Sequence, residues 1–227
     1  MAKQSKRYTS AQSTIDIEKL YNIEEAVGLV KSNATAKFDE TVELHVKTNA
    51  DTRHAEQLVR GVVLLPHGLG KIVRVLVFAQ ADGAIAAKDA GADFVGSQDY
   101  LDKIKGGWTD VDKIVVTPDL MAEVGKLGKI LGPKGLMPNP KAGTVTNDVA
   151  KSVKELKAGK IDVRVEKNGI LHSSIGKTSF SENDLKENFN VFHRAVISAK
   201  PNSFKGTFLN SISLSSSLGP GIKVGVE

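Results

Sequence analysis

The 227-residue sequence predicts a mixed α/β protein of two domains, one assembled from both ends of the chain and the other inserted between them. Three patterns carry this prediction. Near both termini, apolar and polar residues alternate at a period of two, as in strands with one wet face. In the middle, Ile72, Val73, Val75, Leu76, Val77 and Phe78 form an apolar run interrupted only by Arg74, which suits a strand covered on both faces. Short strand and helix signals alternate after that run, the pattern of a doubly wound α/β unit. The predicted boundaries are 1–67 with 159–227 for the terminal domain and 68–158 for the insert. Three small sequential units are the simplest alternative, although each terminal half of about 65 residues would be marginal alone.

Residues up to about Ser13 are polar and aperiodic and read as an extended or poorly ordered basic arm. Asn22 and Glu25 have capping-box spacing, and Ile23, Ala26, Val27 and Val30 line one face of a helix predicted over 23–32. Beyond Phe38, Val42, Leu44 and Val46 alternate with Thr41, Glu43, His45 and Lys47 in a half-buried strand. Pro66-His67-Gly68 breaks the pattern, and the central apolar run follows. Helices are then predicted over 83–90 and 99–105 and strands over 93–95 and 113–116, with Thr117 and Pro118 as the cap and first position of another helix. Asn147 is placed to cap a helix striped by Val149, Val153 and Leu156 and ended by Gly159.

From Lys160 the two-residue period returns with Ile161, Val163 and Val165 inward. Asn168-Gly169 is a strong hairpin signal, with 170–175 as the return strand. Ser181 and Asp184 resemble a capping box ahead of Leu185, Phe189, Phe192 and Val196, in a helix that ends before Pro201. A last strand turns Phe208, Ile212 and Leu214 toward the core and Ser211, Ser213 and Ser215 the other way.

The net charge of +5 is concentrated: between 125 and 160, eight lysines face only Asp148 and Glu155. Residues 125–145 hold five glycines, three of the seven prolines, four lysines and no acid, so this stretch is not regular helix or strand throughout. Two readings stay open for it: a solvated connector, or a rigid basic loop that presents Lys134 and Lys141 to a polyanion.

Several chemistries find no support. There is no cysteine, hence no disulfide or thiolate metal site. The basic N-terminus has no apolar run behind it, and no stretch approaches a membrane span, so the expected compartment is the cytoplasm or its organellar equivalent. Gly176-Lys177-Thr178 has Leu171 where a phosphate loop needs its first glycine, and no Gly-x-Gly-x-x-Gly follows a strand. His45, His54, His67, His172 and His193 lack metal-ligand spacing. No catalytic residue, metal or cofactor is nominated. A better candidate is the outward face of the terminal domain, with Thr41, Glu43, Lys47, Lys167, Ser211, Ser213 and Ser215 to Ser217. Hydroxyl and lysine groups on a rigid sheet suit the sugars and phosphates of a folded RNA, against the plainer reading of a solvated face. Aromatic residues are too few for a single-strand platform, with only Phe38 poised beside the strand. A nucleotide-dependent enzyme and a protein scaffold are the other functional classes to weigh.

Separate motifs then converge in order: Lys37-Phe38-Asp39-Glu40-Thr41-Val42-Glu43, Arg60-Gly61, Leu65-Pro66-His67-Gly68, Gly91-Ala92-Asp93, Ile130-Leu131-Gly132-Pro133-Lys134-Gly135-Leu136-Met137-Pro138-Asn139-Pro140-Lys141, Lys157-Ala158-Gly159, Gly176-Lys177 and Lys205-Gly206-Thr207-Phe208. Over nearly the whole chain this resembles the bacterial-type ribosomal protein L-one family. The resemblance implies an RRM-like split α+β domain from both termini and an inserted Rossmann-like three-layer α/β domain. It implies a non-catalytic monomer within the ribosome that binds large-subunit rRNA of the mobile stalk near the E site. Assistance in the release of deacylated E-site tRNA and repression through the protein's own operon mRNA are implied as well, without a cofactor or membrane. By motif match, Lys37, Phe38, Thr41, Glu43, Lys167, His172 and Ser211 form the RNA surface with the turn Ser217, Leu218, Gly219. Lys134 and Lys141 are a secondary RNA contact, and Pro66, His67, Ala158 and Gly159 a hinge. The turn departs from the family's usual Thr-Met-Gly: Ser217 keeps the hydroxyl and Leu218 keeps bulk without the flexible thioether.

Overall fold

The computed structural model describes residues 5–54, 59–201, 204 and 206–225. The first four residues of the expected arm and Lys205 of the Lys205-Gly206-Thr207-Phe208 motif lie outside the described residues. The chain runs through α1 (Lys6–Ser13), α2 (Ile23–Asn33), β1 (Thr41–Thr48), β2 (Arg60–Leu64), β3 (Val75–Phe78), α3 (Ala81–Asp89), β4 (Phe94–Gly96), α4 (Gln98–Lys105) and β5 (Lys113–Val116). It continues with α5 (Met121–Gly125), α6 (Gly128–Leu131), α7 (Val149–Ala158), β6 (Lys160–Arg164), β7 (Ile170–Lys177), α8 (Glu182–Ser198), β8 (Leu209–Ser216) and β9 (Ile222–Val224). These elements form two compact units, Met1–Gly70 with Ile161–Glu227, and Lys71–Lys160.

In the terminal unit β7, β1, β8 and β9 form, in that order, an antiparallel sheet. Alternation along β1 buries Val42, Leu44, Val46 and Thr48 and leaves Thr41, Glu43, His45 and Lys47 part-exposed. Helices α2 and α8 pack on the buried side, contributing Ala26, Val27 and Val30 from one and Leu185, Phe189, Phe192 and Val196 from the other. The capping box of α8 is formed: Ser181 Oγ accepts from the Asp184 amide at 3.1 Å, and Asp184 Oδ2 accepts from the Ser181 amide at 3.3 Å. That of α2 is not. Asn22 makes no side-chain cap, and Glu25 pairs instead with Lys19 at 3.4 Å.

The extended arm was an incorrect expectation over Lys6–Ser13, which is helical. Ser5 Oγ accepts from the Tyr8 amide, and no residue of α1 is buried, so the helix has no apolar stripe for the sequence to reveal. The Asn168-Gly169 turn closes through the Gly169 amide to Glu166 O and the Glu166 amide to Ile170 O, each 2.9 Å. Its flanking strands nevertheless part: β6 pairs with β2 and β7 with β1, and they meet only at the Val165–Leu171 bridge. A tight turn dictates a local reversal, whereas burying Leu171 and Ile175 of β7 in the core beside β1 dictates the pairing. Phe208 is buried as expected but precedes β8, and the three-residue β9 was not anticipated.

In the inserted unit β4, β3 and β5 make a parallel sheet with β3 central and fully buried. Val75 and Val77 join Ala87, Val149, Val153 and Leu156 on one side, while Leu76 and Phe78 join Leu101, Ile104, Leu120 and Val124 on the other. Helices thus cover both faces in the expected three layers. The strand is shorter than the apolar run, because Ile72 is 87% exposed and Arg74 turns to Asp110 and Asp112. Burial pushes the Asp112 carboxyl up, but hydrogen bonds from Lys71 and Arg74 outweigh it and hold its pKa down at about 2. Asp148, not Asn147, caps α7, with Oδ1 accepting from the Lys151 amide at 3.1 Å. Gly159 closes that helix at a φ of 107°, a conformation that favours glycine.

Asn188 fastens the end of the first terminal segment to the second. Fully buried on α8, it donates through Nδ2 to Gly68 O at 3.1 Å and Ile175 O at 2.8 Å and accepts from the His67 amide at 3.2 Å. Replacing it with leucine strands three backbone groups. Asn188→Leu is therefore expected to destabilise the protein by about 2–4 kcal/mol, read from its urea unfolding midpoint, and an unchanged midpoint would remove Asn188 from this role.

Candidate nucleic-acid interface

The outward face of the terminal sheet is built by strand register. His172 of β7 stands opposite His45, while Ser211, Ser213 and Ser215 of β8 stand opposite Lys47, His45 and Glu43. The face therefore presents hydroxyls, imidazoles, the Glu43 carboxylate and the ammonium groups of Lys47, Lys177 and Lys223. Ser216 does not belong to it: the alternation that turns Ser215 out turns Ser216 in, where it is buried. Lys47 Nζ donates to Asn168 O at 2.5 Å and so braces the turn that carries exposed Lys167. Lys177 Nζ donates to Thr41 Oγ1 at 2.8 Å.

At one end of β1 two loops are tied together by a buried carboxylate. Glu40 accepts from the Ala36 amide through Oε1 at 3.0 Å and from the Leu218 amide through Oε2 at 3.0 Å. Burial pushes its pKa up, but the Ser216 hydroxyl, these two amides and the charge of Arg7 together hold it below the usual glutamate value. Ser217 Oγ accepts from the Thr41 amide at 3.0 Å, and Arg7 Nη2 donates to Leu218 O at 3.0 Å. Asp39 accepts from the Thr178 and Ser179 hydroxyls and the Ser179 amide. With both backbones held, Lys37, Phe38 and Leu218 remain exposed. Gly219 is required by close approach, because a Cβ there would stand 2.5 Å from Ser216 Oγ.

Sequence reasoning thus found the exposed residues and missed those that hold them. Glu40 and Asp39 lay within a quoted motif, yet no periodicity marks a buried acid. Arg7 lay in the stretch read as unstructured.

The basic stretch at 125–145 is folded rather than an open connector. Leu127, Leu131 and Leu136 are buried in the insert's core, and buried Thr144 receives the Asn139 amide on Oγ1 at 2.8 Å. Lys134 is exposed and donates to Thr109 Oγ1, and Lys141 is exposed behind the Asn139 cap. Part of the charge excess is spent within the unit, since Lys157 pairs with Asp93 at 3.2 Å and Lys160 with Glu155 at 2.8 Å. Pro66 and His67 lie in the terminal unit, where His67 Nε2 bonds Glu187 Oε2 at 2.7 Å; Ala158 and Gly159 end α7 in the insert.

A split α+β unit with an open polar sheet face, interrupted by a doubly wound unit with a folded basic loop, has the make-up of an RNA-binding protein. The Ribosomal protein L1p/L10e family model matches residues 30–220, and the chain belongs to that family. Membership makes it a large-subunit ribosomal protein that binds rRNA, in a family that is structural rather than enzymatic. Among the described residues, no helix is long and apolar enough to cross a membrane.

Glu40→Gln replaces one acceptor oxygen with an amide that faces an N–H, and is expected to cost about 1–3 kcal/mol at neutral pH. Because the folded-state pKa of Glu40 is lowered, its stabilisation is full above the ordinary glutamate value and is lost as pH falls through the folded value. Urea unfolding of both proteins across that range should show the gap closing in acid; a gap independent of pH would mean the charge of Glu40 contributes nothing.

Proposed function

We propose that the protein binds rRNA of the mobile stalk near the E site through Lys37, Phe38, Thr41, Glu43, Lys167, His172, Ser211, Ser217, Leu218 and Gly219. The observation that carries this reading is the joint exposure of Phe38 and Leu218, at 56% and 46%, on two loops that Glu40 makes rigid beside a polar sheet face. Large apolar side chains held in water on a stiff backbone suit base and sugar contacts, and the hydroxyls beside them suit 2′-hydroxyls. Glu43 is an acceptor for a base amine, and Lys37 and Lys167 are phosphate partners. Lys134 and Lys141 add a secondary contact of the phosphate type. The Pro66-His67 and Ala158-Gly159 segments act as a hinge that lets the stalk move as deacylated tRNA leaves. The same surface represses translation by binding a similar fold in the protein's own operon mRNA, with Ser217 and Leu218 altering the fit. The protein acts as a monomer within a cytoplasmic or organellar ribosome.

Filter binding to a stalk rRNA fragment tests the surface. Phe38→Ala, or deletion of the turn from Ser217 to Gly219, is expected to weaken binding about ten- to a hundredfold, the worth of one lost base contact. Undiminished affinity would sink this assignment. Lys134→Ala combined with Lys141→Ala should weaken binding mildly and flatten the dependence of log K on log salt by about 0.7–0.9 per lost phosphate contact. An unaltered slope would remove the loop from the interface.

A further inference from the structure

The outward face carries one feature that RNA contact by its separate residues leaves unexplained. His45 and His172 meet edge to face with centroids 4.9 Å apart, and their Nδ1 atoms are 2.7 Å apart. Such a contact needs a single proton between the two nitrogens, so one ring donates through Nδ1–H and the other accepts on a bare Nδ1. His45 Nε2 lies 3.1 Å from Ser215 Oγ and 3.9 Å from Glu43 Oε2. The carboxylate favours a proton on that nitrogen, and Ser215 Oγ can accept it. His45 then bears Nε2–H and a bare Nδ1, which makes His172 the Nδ1–H donor.

The surroundings agree. Burial pushes the pKa of His45 down and the neighbouring His172 adds to this, with Glu43 opposing, so His45 is neutral at physiological pH. The groups on the pair's side of the sheet are Glu43 and Lys47 on β1, the serines of β8, His172 on β7 and, one strand beyond Ser213, exposed Lys223 on β9; the Lys47 ammonium is already engaged by Asn168 O. No charged residue of β8 reaches this face between Ser211 and Ser215.

We propose that His45 is a positioning residue for RNA recognition: it locks exposed His172 as the Nδ1–H tautomer, so that His172 Nε2 accepts a hydrogen bond from a ribose 2′-hydroxyl. This rests on the reading of the outward face as the rRNA surface. A bare ring nitrogen at a fixed point accepts from a 2′-hydroxyl, which DNA lacks, and turns away a phosphate oxygen, which has no proton to give. Ser215 and Glu43 act behind His45 by fixing its own tautomer.

The test pairs binding with spectroscopy. At about pH 8, well above the ordinary histidine range, filter binding to transcribed large-subunit rRNA compares the wild type with His45→Phe, His45→Asn and His172→Ala. His45→Phe keeps a ring but no acceptor, and should lose about three- to tenfold in affinity, the worth of one net hydrogen bond, as should His172→Ala. His45→Asn, whose Oδ1 can accept from Nδ1–H, should recover most of the loss, which a filler role for the ring would not allow. Long-range 1H–15N spectra of the wild type should show His172 as Nδ1–H, a readout independent of how any variant folds. Full affinity in His45→Phe, or an Nε2–H form of His172 in the wild type, overturns the assignment and leaves the RNA surface standing. Failure of the wild type to bind rRNA overturns both.

Discussion

The candidate interface depends on one buried anion. Taking a carboxylate out of water costs several kcal/mol unless hydrogen bonds and opposite charge replace its hydration. Glu40 obtains them from residues far apart in sequence: the Ala36 amide just before it, the Leu218 amide 178 residues away and the charge of Arg7. Satisfying that one group brings the loop before β1 and the turn after β8 to the same end of the sheet. It also explains how Phe38 and Leu218 stay in water, because their backbones are fixed by polar bonds rather than by burial of the side chains.

The two units place chemistry differently, and sheet coverage is the reason. Among the described residues, α2 and α8 pack on the buried side of the antiparallel sheet, and its other face carries Thr41, Glu43, His45, His172 and the outward serines of β8. The parallel sheet buries both faces, so polar groups of the insert are confined to loops and helix surfaces. Residues 125–145 are the clearest case. Leucines anchor the stretch in the core, while Lys134 and Lys141 stay at the surface.

Membership of the ribosomal family accounts for an open polar face on a protein without nucleotide or metal motifs. An rRNA ligand is large, rigid and polyanionic, and needs many modest contacts in fixed positions rather than one deep pocket. A stiff sheet with braced loops supplies those positions. Lys47 and Lys177, bonded to Asn168 O and Thr41 Oγ1, contribute to the bracing.

The sequence alone was sufficient for the fold class, for most elements to within a few residues, and for the family, because a period of two or of 3.6 reports which side of its own element a residue occupies. It read the α8 capping box correctly, since both partners are local. It placed Asn22 at the N-cap of α2, although no side-chain bond forms there, missed the cap of α7 by one residue at Asn147, and missed α1 because a helix that buries nothing leaves no stripe. Only the tertiary structure decided that Glu40 is buried, that β6 and β7 part after their shared turn, and that His45 meets His172. Each of these is a relation between segments distant in the chain, and periodicity within one segment carries no information about which atoms of another will stand opposite it.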